Sequence, residues 1–358
     1  MQDVSDRKQP VLSIDEVQRY LSDARRICSG LDIFDIHMHA TEVIRDQIEY
    51  GPLADGLRSS TNSPEYRSPG LANVRLSSAA RQTNPELQLK MSELAFSRSY
   101  KHTGPRVMSD QIDLAGVDKA VLLPVAGGNR SIVRQMEIID ECCAEDQRFI
   151  AGFSISNGVP SDGIYEVLAQ ASRVHRIRVL KIHPNLTGID LSSAQGIARV
   201  EAMLRACDRL GLPALLHGGC SPILGDSVAS EFSTMKKLQR VDWSLTAFPV
   251  VIAHFGVYGC DGNPGSTSLQ DVEILREMLD QHEHLYTDTS GVSYDAIEKM
   301  LGLVSPERVV FGSDALYVPV FRQLALVMHA FSSQNAPADS VRAVLCENAS
   351  RVLGENES

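Results

Sequence analysis

Eight short apolar runs, spread over most of the chain, constrain its fold more than any other feature. They are LDIFDIH (31–37), KAVLLP (119–124), FIAGFSI (149–155), RVLKIH (178–183), PALLHG (213–218), PVVIAHF (249–255), HLYTDTS (284–290) and RVVFGSD (308–314). Most are continuous rather than alternating, the pattern of parallel strands covered on both faces. Amphipathic stretches lie between them, such as IVRQMEIIDECCAE (132–145), AQGIARVEAMLRACDRL (194–210) and DVEILREMLDQH (271–282). Gly211 and Pro213 give the second of these a clean stop before the next run. From the second run onward the starts recur about every 30–35 residues, which suits a strand–helix unit with a right-handed crossover. Eight such units close into a (β/α)8 TIM barrel. An open doubly wound sheet is the runner-up, but no GxGxxG turn follows the first run.

Two segments fall outside this rhythm. Residues 13–28, SIDEVQRYLSDARRIC, predict an extra helix, with Ser13 and Glu16 spaced as a capping box. Residues 1–30 are therefore expected as an N-terminal helical extension, and residues 31–355 as the barrel. Residues 41–112 interrupt the first unit as a long insertion after strand 1, with helical pieces expected at 41–49 and 85–100 and a Pro/Ser cluster at 59–70. The insertion should emerge at the C-terminal face as a lid or interface element. It is slightly basic inside an acidic chain. That suits a cationic wall for a carboxylate-bearing substrate, or simply a solvated excursion.

Bulk properties narrow the function. A formal net charge of -11 on 358 residues repels phosphate backbones, so nucleic acid is not an expected partner. No apolar run approaches the ~18 residues of a membrane span. The opening MQDVSDRKQPVL lacks a signal peptide's apolar centre. Seven cysteines, odd in number and without CxxC, read as reduced thiols of a cytoplasmic protein. The insertion and exposed helices are compatible with a homodimer.

Five of the ten histidines sit at the C-terminal ends of expected strands: His37, His39, His183, His217 and His254. Asp314 ends the eighth run. His37 and His39 are spaced i, i+2, so they share a face, and a closed barrel brings the other ends to the same rim. A lone histidine at a strand end is usually a hydrogen-bonded core residue. Five of them, where branched aliphatics are normal, would need five separate compensations, because an unpaired buried polar group costs a few kcal/mol. One cation compensates most of them together, and imidazoles plus a carboxylate suit Zn²⁺ or a similar divalent ion. His102, His175, His282, His284 and His329 are expected at the surface.

HxH on strand 1, histidines on strands 5 and 6, and GSD on strand 8 resemble the amidohydrolase superfamily. LKIHP, LLHGG, VVIAHFG, YTDTSG and VVFGSDA look like its amidohydrolase-2 branch, which holds both hydrolases and decarboxylases. The resemblance covers roughly 31–40 and 118–351 and implies His37, His39, His217 and Asp314 as metal ligands. The implied cofactor is a divalent metal, Zn²⁺ first and Mn²⁺ second. The resemblance also implies His254 acting on substrate or bound water and Asp314 moving a proton. His183 and Lys181 stand at the strand-4 end as further catalytic candidates. In other branches a carbamylated lysine at that place bridges two metals; the Lys–His pair here looks more like the single-metal pattern.

Arg130, in the AGGNR loop, is a candidate substrate contact. Asp288, ending strand 7, is another, or else it orients a ligand histidine or caps its loop. Cys220 reads as a small packing residue. The leading expectation is a hydrolase that uses a metal-activated water to cleave an amide, lactam or lactone of a small molecule. The alternative is a metal-dependent non-oxidative decarboxylase of an unsaturated or aromatic acid. A metal-stabilised barrel without activity, used as a binding module, is the reading from a different class.

Overall fold

Each apolar run becomes a strand: β1 (Phe34–Met38), β2 (Lys119–Leu122), β3 (Phe149–Ser154), β4 (Val179–Ile182), β5 (Ala214–Leu216), β6 (Val250–Ile252), β7 (Leu285–Asp288) and β8 (Val309–Val310). These come from a computed structural model, which describes residues 12–40, 105–126, 132–221, 224, 227–258, 269–315 and 318–355. Every neighbouring pair is parallel and the spatial order is the chain order. The last strand returns to the first through Ile36 N–H to Phe311 O (3.1 Å), Asp314 N–H to His37 O (2.8 Å) and a parallel bridge between Met38 and Ala315. The protein is a (β/α)8 barrel.

The continuous apolar runs are explained by two cores, one on each side of the strands. Phe34, Ile36, Val121, Leu123, Val179, Leu215, Val251, Tyr286 and Val310 fill the barrel interior. Ala120, Leu122, Leu180, Ile182, Ala214, Leu216, Val250 and Ile252 face outward into the larger cluster shared with the helices. Each fully buried Val, Leu, Ile or Phe contributes about 1.5–3 kcal/mol relative to exposure. Ala349, Val352 and Leu353 join the interior cluster from a helix at Asn348–Leu353. Arg178, just before β4, donates to Leu353 O, and Lys119, opening β2, pairs with Glu355. That helix therefore covers the end where the strands begin, leaving the opposite mouth for chemistry.

Helix α1 (Ile14–Ile27) has the expected capping box: Ser13 Oγ accepts from Glu16 N–H, and the Glu16 carboxylate accepts from Ser13 N–H. Its Val17, Tyr20 and Ala24 are buried. On either side of α4 (Ile164–His175) and the short α5 (Pro184–Thr187), helices α3 (Ile132–Glu145) and α6 (Ala194–Leu210) match the expected segments residue for residue. The helix between β1 and β2, α2 (Pro105–Ala115), overlaps the end of the expected insertion. Met108, Ile112 and Ala115 recur at helical spacing and are buried, so this stretch is a crossover helix of the barrel. Residues 41–104, with both expected helical pieces, lie outside the described residues.

Among the described residues no helix is long and apolar enough to cross a membrane. The described cysteines are free thiols; Cys260 lies outside them. The histidines expected at the surface are half-buried instead. His175 Nδ1 lies 2.7 Å from Asp140, His329 Nδ1 lies 2.7 Å from the Tyr20 hydroxyl, and His282 and His284 pack on each other. His102 is outside the described residues.

The start of α6 carries a checkable packing constraint. Ser193 Oγ accepts from Gly196 N–H, and a Cβ at Gly196 would collide with the backbone carbonyl of Asp190. In an open helix, alanine is more favourable than glycine by about 1 kcal/mol. Here Gly196→Ala is expected to reverse that sign and destabilise by roughly 1–3 kcal/mol, since overpacked backbone must shift. A lower urea midpoint with unchanged helix content is the expected result; a higher midpoint would refute the packing described.

Candidate metal centre

Strand β1 does not run regularly. Phe34 and Ile36 face the barrel interior while Met38 faces the helices, so alternation slips once, and the pairing with β2 breaks between Asp35 and Met38. Such a bulge re-aims side chains. Here it leaves His37 Nε2 and His39 Nε2 only 3.2 Å apart, both rings buried. Asp314 follows β8 in a left-handed conformation (φ 66°). Its Oδ1 lies 3.2 Å from His39 Nε2 and 3.7 Å from His37 Nε2. Gly291 makes room beside the other oxygen, since a Cβ there would sit 2.6 Å from Asp314 Oδ2.

His217 follows β5 and His254 follows β6. His254, Phe255 and Gly256 are consecutive left-handed residues (φ 60°, 50° and 68°), which turns the chain sharply at the rim. Non-glycine residues held there cost of order 1–3 kcal/mol each. His254 Nε2 meets His217 Nδ1 at 3.1 Å. The donors thus gather as a trio, His37, His39 and Asp314, with His217 and His254 paired.

The other nitrogen of each ring decides what these donors can bind. His37 Nδ1 lies 2.9 Å from Asp288 Oδ2, His39 Nδ1 lies 2.9 Å from Leu123 O, His254 Nδ1 lies 2.8 Å from Ser290 O, and His217 Nε2 lies 3.1 Å from Cys220 O. Carbonyls and carboxylates only accept, so in the neutral rings those nitrogens carry the protons. The nitrogens left bare, His37 Nε2, His39 Nε2, His254 Nε2 and His217 Nδ1, are the ones that approach one another. Metal-binding histidines are pinned in this way. The donor set fits a divalent ion: two bare imidazole nitrogens and a carboxylate oxygen at 3.2–3.7 Å separations surround a single point.

Burial sets the charge states. It lowers the His37, His183 and His254 pKa values well below the ordinary range and takes His217 down to about 3, so all four rings are neutral at pH 7. Burial also lowers Lys181 to about 8, and its Nζ lies 2.8 Å from His37 Nε2. Burial raises Asp314 and pushes Asp35 up to about 7. His183 stacks on His217 (3.9 Å between centroids, 10°), and its Nδ1 accepts from Leu186 N–H at the start of the short helix Pro184–Thr187.

Asp288 is engaged within the protein. Oδ2 accepts from His37, while Oδ1 accepts from His254 N–H (2.7 Å), Ser290 N–H (3.0 Å) and the Ser290 hydroxyl. Of the three roles expected for it, these contacts correspond to orienting a ligand histidine and capping its loop. Arg130 lies outside the described residues. Cys220 is buried and offers its carbonyl to His217. Sequence reasoning missed Asp35, whose Oδ1 accepts from His37 N–H and Ser313 N–H, and Tyr258, whose ring stacks on His254 at 4.6 Å. Only their nearness in sequence to His37 and His254 could have drawn attention to them.

A family model described as Amidohydrolase, of the amidohydrolase-2 type, matches residues 34–354. No curated protein matches the sequence. Solved structures are similar in fold at low identity. An amidohydrolase from Burkholderia multivorans with bound zinc has a TM-score of 0.56 and 14% identity over 90% of this chain and 99% of its own. 5-Carboxyvanillate decarboxylase from Novosphingobium aromaticivorans, complexed with manganese and a nitrobenzoic acid, has a TM-score of 0.54 and 14% identity over 91% and 96%. A probable 2-pyrone-4,6-dicarboxylic acid hydrolase from Acinetobacter baumannii with citric acid bound has a TM-score of 0.53 and 14% identity over 90% and 100%.

The neutral histidines make stability depend on pH. An unfolded histidine takes up its proton near pH 6.5, whereas buried His37, His183, His217 and His254 do not. Their contribution is intact above about pH 7 and is lost as pH falls through 6.5 toward 5. Asp35 and Asp314, shifted upward, oppose this but are fewer, and Lys181 is protonated in both states across the window. The metal-free protein should lose about 1.4 kcal/mol per pH unit for each histidine in excess. Urea midpoints measured from pH 7.5 to 5 should fall; a flat or rising series would contradict the neutral-ring assignment.

Proposed function

The chain belongs to the amidohydrolase family, and from that premise we propose that it is a metal-dependent hydrolase cleaving a C–N or C–O bond of a small amide, lactam or lactone. His37, His39 and Asp314 would hold the ion, with His217 as the further ligand. Zn²⁺ suits this nitrogen-rich set best and Mn²⁺ is the second choice. A bound ion supplies Lewis acidity and lowers the pKa of water in the site.

The observation that carries the reading is the Asp314 carboxylate. Oδ1 sits at ligand spacing from two bare imidazoles, while Oδ2 lies in the room left by Gly291. Burial raises its proton affinity, which suits a group that takes a proton from water and returns it to the leaving group. The His254 Nε2 nitrogen is an acceptor, so polarising the scissile carbonyl falls to other donors. Lys181 is the one lysine or arginine among the described residues hydrogen-bonded into the cluster. His183, whose Nδ1 accepts from the backbone, presents Nε2–H. Both would serve a developing oxyanion. Asp288 would orient His37 rather than touch substrate.

Decarboxylation of an unsaturated or aromatic acid is the second reading. Its support is Lys181, a buried cation able to pair with a carboxylate, and it would draw on Arg130 or the insertion for a fuller clamp. The deciding experiment loads the protein with Zn²⁺ or Mn²⁺ and offers small lactones, lactams and amides beside unsaturated and aromatic acids in ¹⁸O-water. The expected result is a product acid carrying one solvent oxygen, abolished by chelator and restored by metal. Asp314→Asn should lower kcat by roughly 10²–10⁴-fold. Release of CO₂ with no turnover of esters or amides would overturn hydrolysis in favour of the second reading.

A further inference from the structure

Asp35 is a fully buried carboxylate beside the centre that no step of the proposed chemistry uses. Its Oδ1 accepts from two backbone groups, His37 N–H at 3.1 Å and Ser313 N–H at 3.0 Å, while Oδ2 has no hydrogen-bond partner. Neither donor is one that the barrel ladder serves. The pairing of β1 with β2 is broken between Asp35 and Met38, and β8 ends at Val310, three residues before Ser313. A buried N–H left without an acceptor loses its hydration with nothing in return, so these two would favour any rearrangement that satisfied them.

The two donors belong to the two segments that supply the ion's ligands. His37 is itself a ligand candidate, and the slipped register around it aligns its Nε2 with that of His39 at 3.2 Å. Ser313 precedes Asp314, whose left-handed backbone is held by its own N–H to His37 O at 2.8 Å. One oxygen atom therefore ties the slip in β1 to the turn after β8.

We propose that Asp35 is a positioning residue of the metal centre: its accepting oxygen fixes the slipped register of β1 against the 312–314 turn and so sets the spacing between the His37–His39 nitrogen pair and the Asp314 carboxylate. This rests on the metal-centre reading above and extends it to a residue that touches neither ion nor substrate. The role belongs to the acceptor, not to the charge. Asparagine, which keeps Oδ1, should fill it, and alanine should not.

The test uses the full chain, with Zn²⁺ affinity measured by competition with a chromophoric chelator. The visible spectrum of the Co²⁺-loaded protein reports ligand geometry, and circular dichroism checks the fold. Asp35→Ala should bind Zn²⁺ roughly 10–100-fold more weakly, the usual effect of removing a group that orients a ligand, and should alter the Co²⁺ bands. Asp35→Asn should stay close to wild type in both.

Wild-type affinity and spectrum in Asp35→Ala would overturn the proposal. So would an Asp35→Asn variant as impaired as alanine, because the charge would then be what matters. If Asp35→Ala does not fold, Asp35→Asn alone decides: retained affinity and spectrum support the acceptor role, and a tenfold loss overturns it. A wild-type chain that binds neither Zn²⁺ nor Co²⁺ would overturn the metal centre itself, an outcome distinguishable from failure of Asp35 alone.

Discussion

The site depends on a fixed assignment of protons among buried imidazoles. Each of His37, His39, His217 and His254 has one ring nitrogen held by an oxygen that can only accept. The remaining nitrogens meet at 3.2 Å and 3.1 Å with no proton between them in the neutral rings. Two lone pairs at that distance repel unless something positive lies near both. A proton is disfavoured, because burial penalises the imidazolium at His37, His217 and His254. A divalent cation answers the same need without titrating, and it favours neutral rings.

That assignment is possible because the scaffold is rigid where the site is strained. His254 and Asp314 sit in left-handed backbone, at of order 1–3 kcal/mol each. Each strained residue donates its backbone N–H to a partner on another strand: His254 to Asp288 and Asp314 to the carbonyl of His37. Asp288, at the end of β7, is in turn shared between the His37 ring and the His254 backbone N–H, so moving one ligand disturbs the next. Apolar layers on both sides of the strands hold this arrangement in place. In a barrel the aliphatic body and the polar rim can be built from the same strands, since only the final residues of each strand reach the mouth.

The strands were legible because burial on both faces leaves an uninterrupted apolar signature, and the ends of α1 and α6 were legible because Ser13, Glu16 and Gly211 are specific capping residues. The meeting of donors at one rim was legible for the same reason, as strand ends converge once the barrel closes. The bulge in β1 was not. FDIHMHA reads as a regular run, and its slip is visible only when Ile36 and Met38 are found in different cores. The left-handed turns at His254 and Asp314 carry no glycine at those positions to announce them. The pairing of His217 with His254 depends on which ring nitrogen faces which, a matter of rotamer and hydrogen bonding rather than of spacing. The overlap of α2 with the end of the expected insertion was not legible either, although its Met108–Ile112–Ala115 stripe has helical spacing.

Whether such a mouth is better suited to splitting water or to releasing CO₂ turns on its stock of acceptors and donors. Hydrolysis first needs a group to take a proton and then one to return it. Decarboxylation needs a cationic hold on the departing carboxylate and a proton delivered to carbon. The described mouth has two proton acceptors beside the ligand nitrogens: His254 Nε2, and the Asp314 carboxylate, whose pKa burial has raised. Its donors are the ammonium of Lys181 and the Nε2–H that the backbone contact assigns to His183. Lys181 is a single ammonium, enough for a developing oxyanion but short of a fuller clamp on a carboxylate. That balance supports the hydrolytic reading. It places the burden of the other on cations carried by the long segment after β1 or by the loop that follows β2.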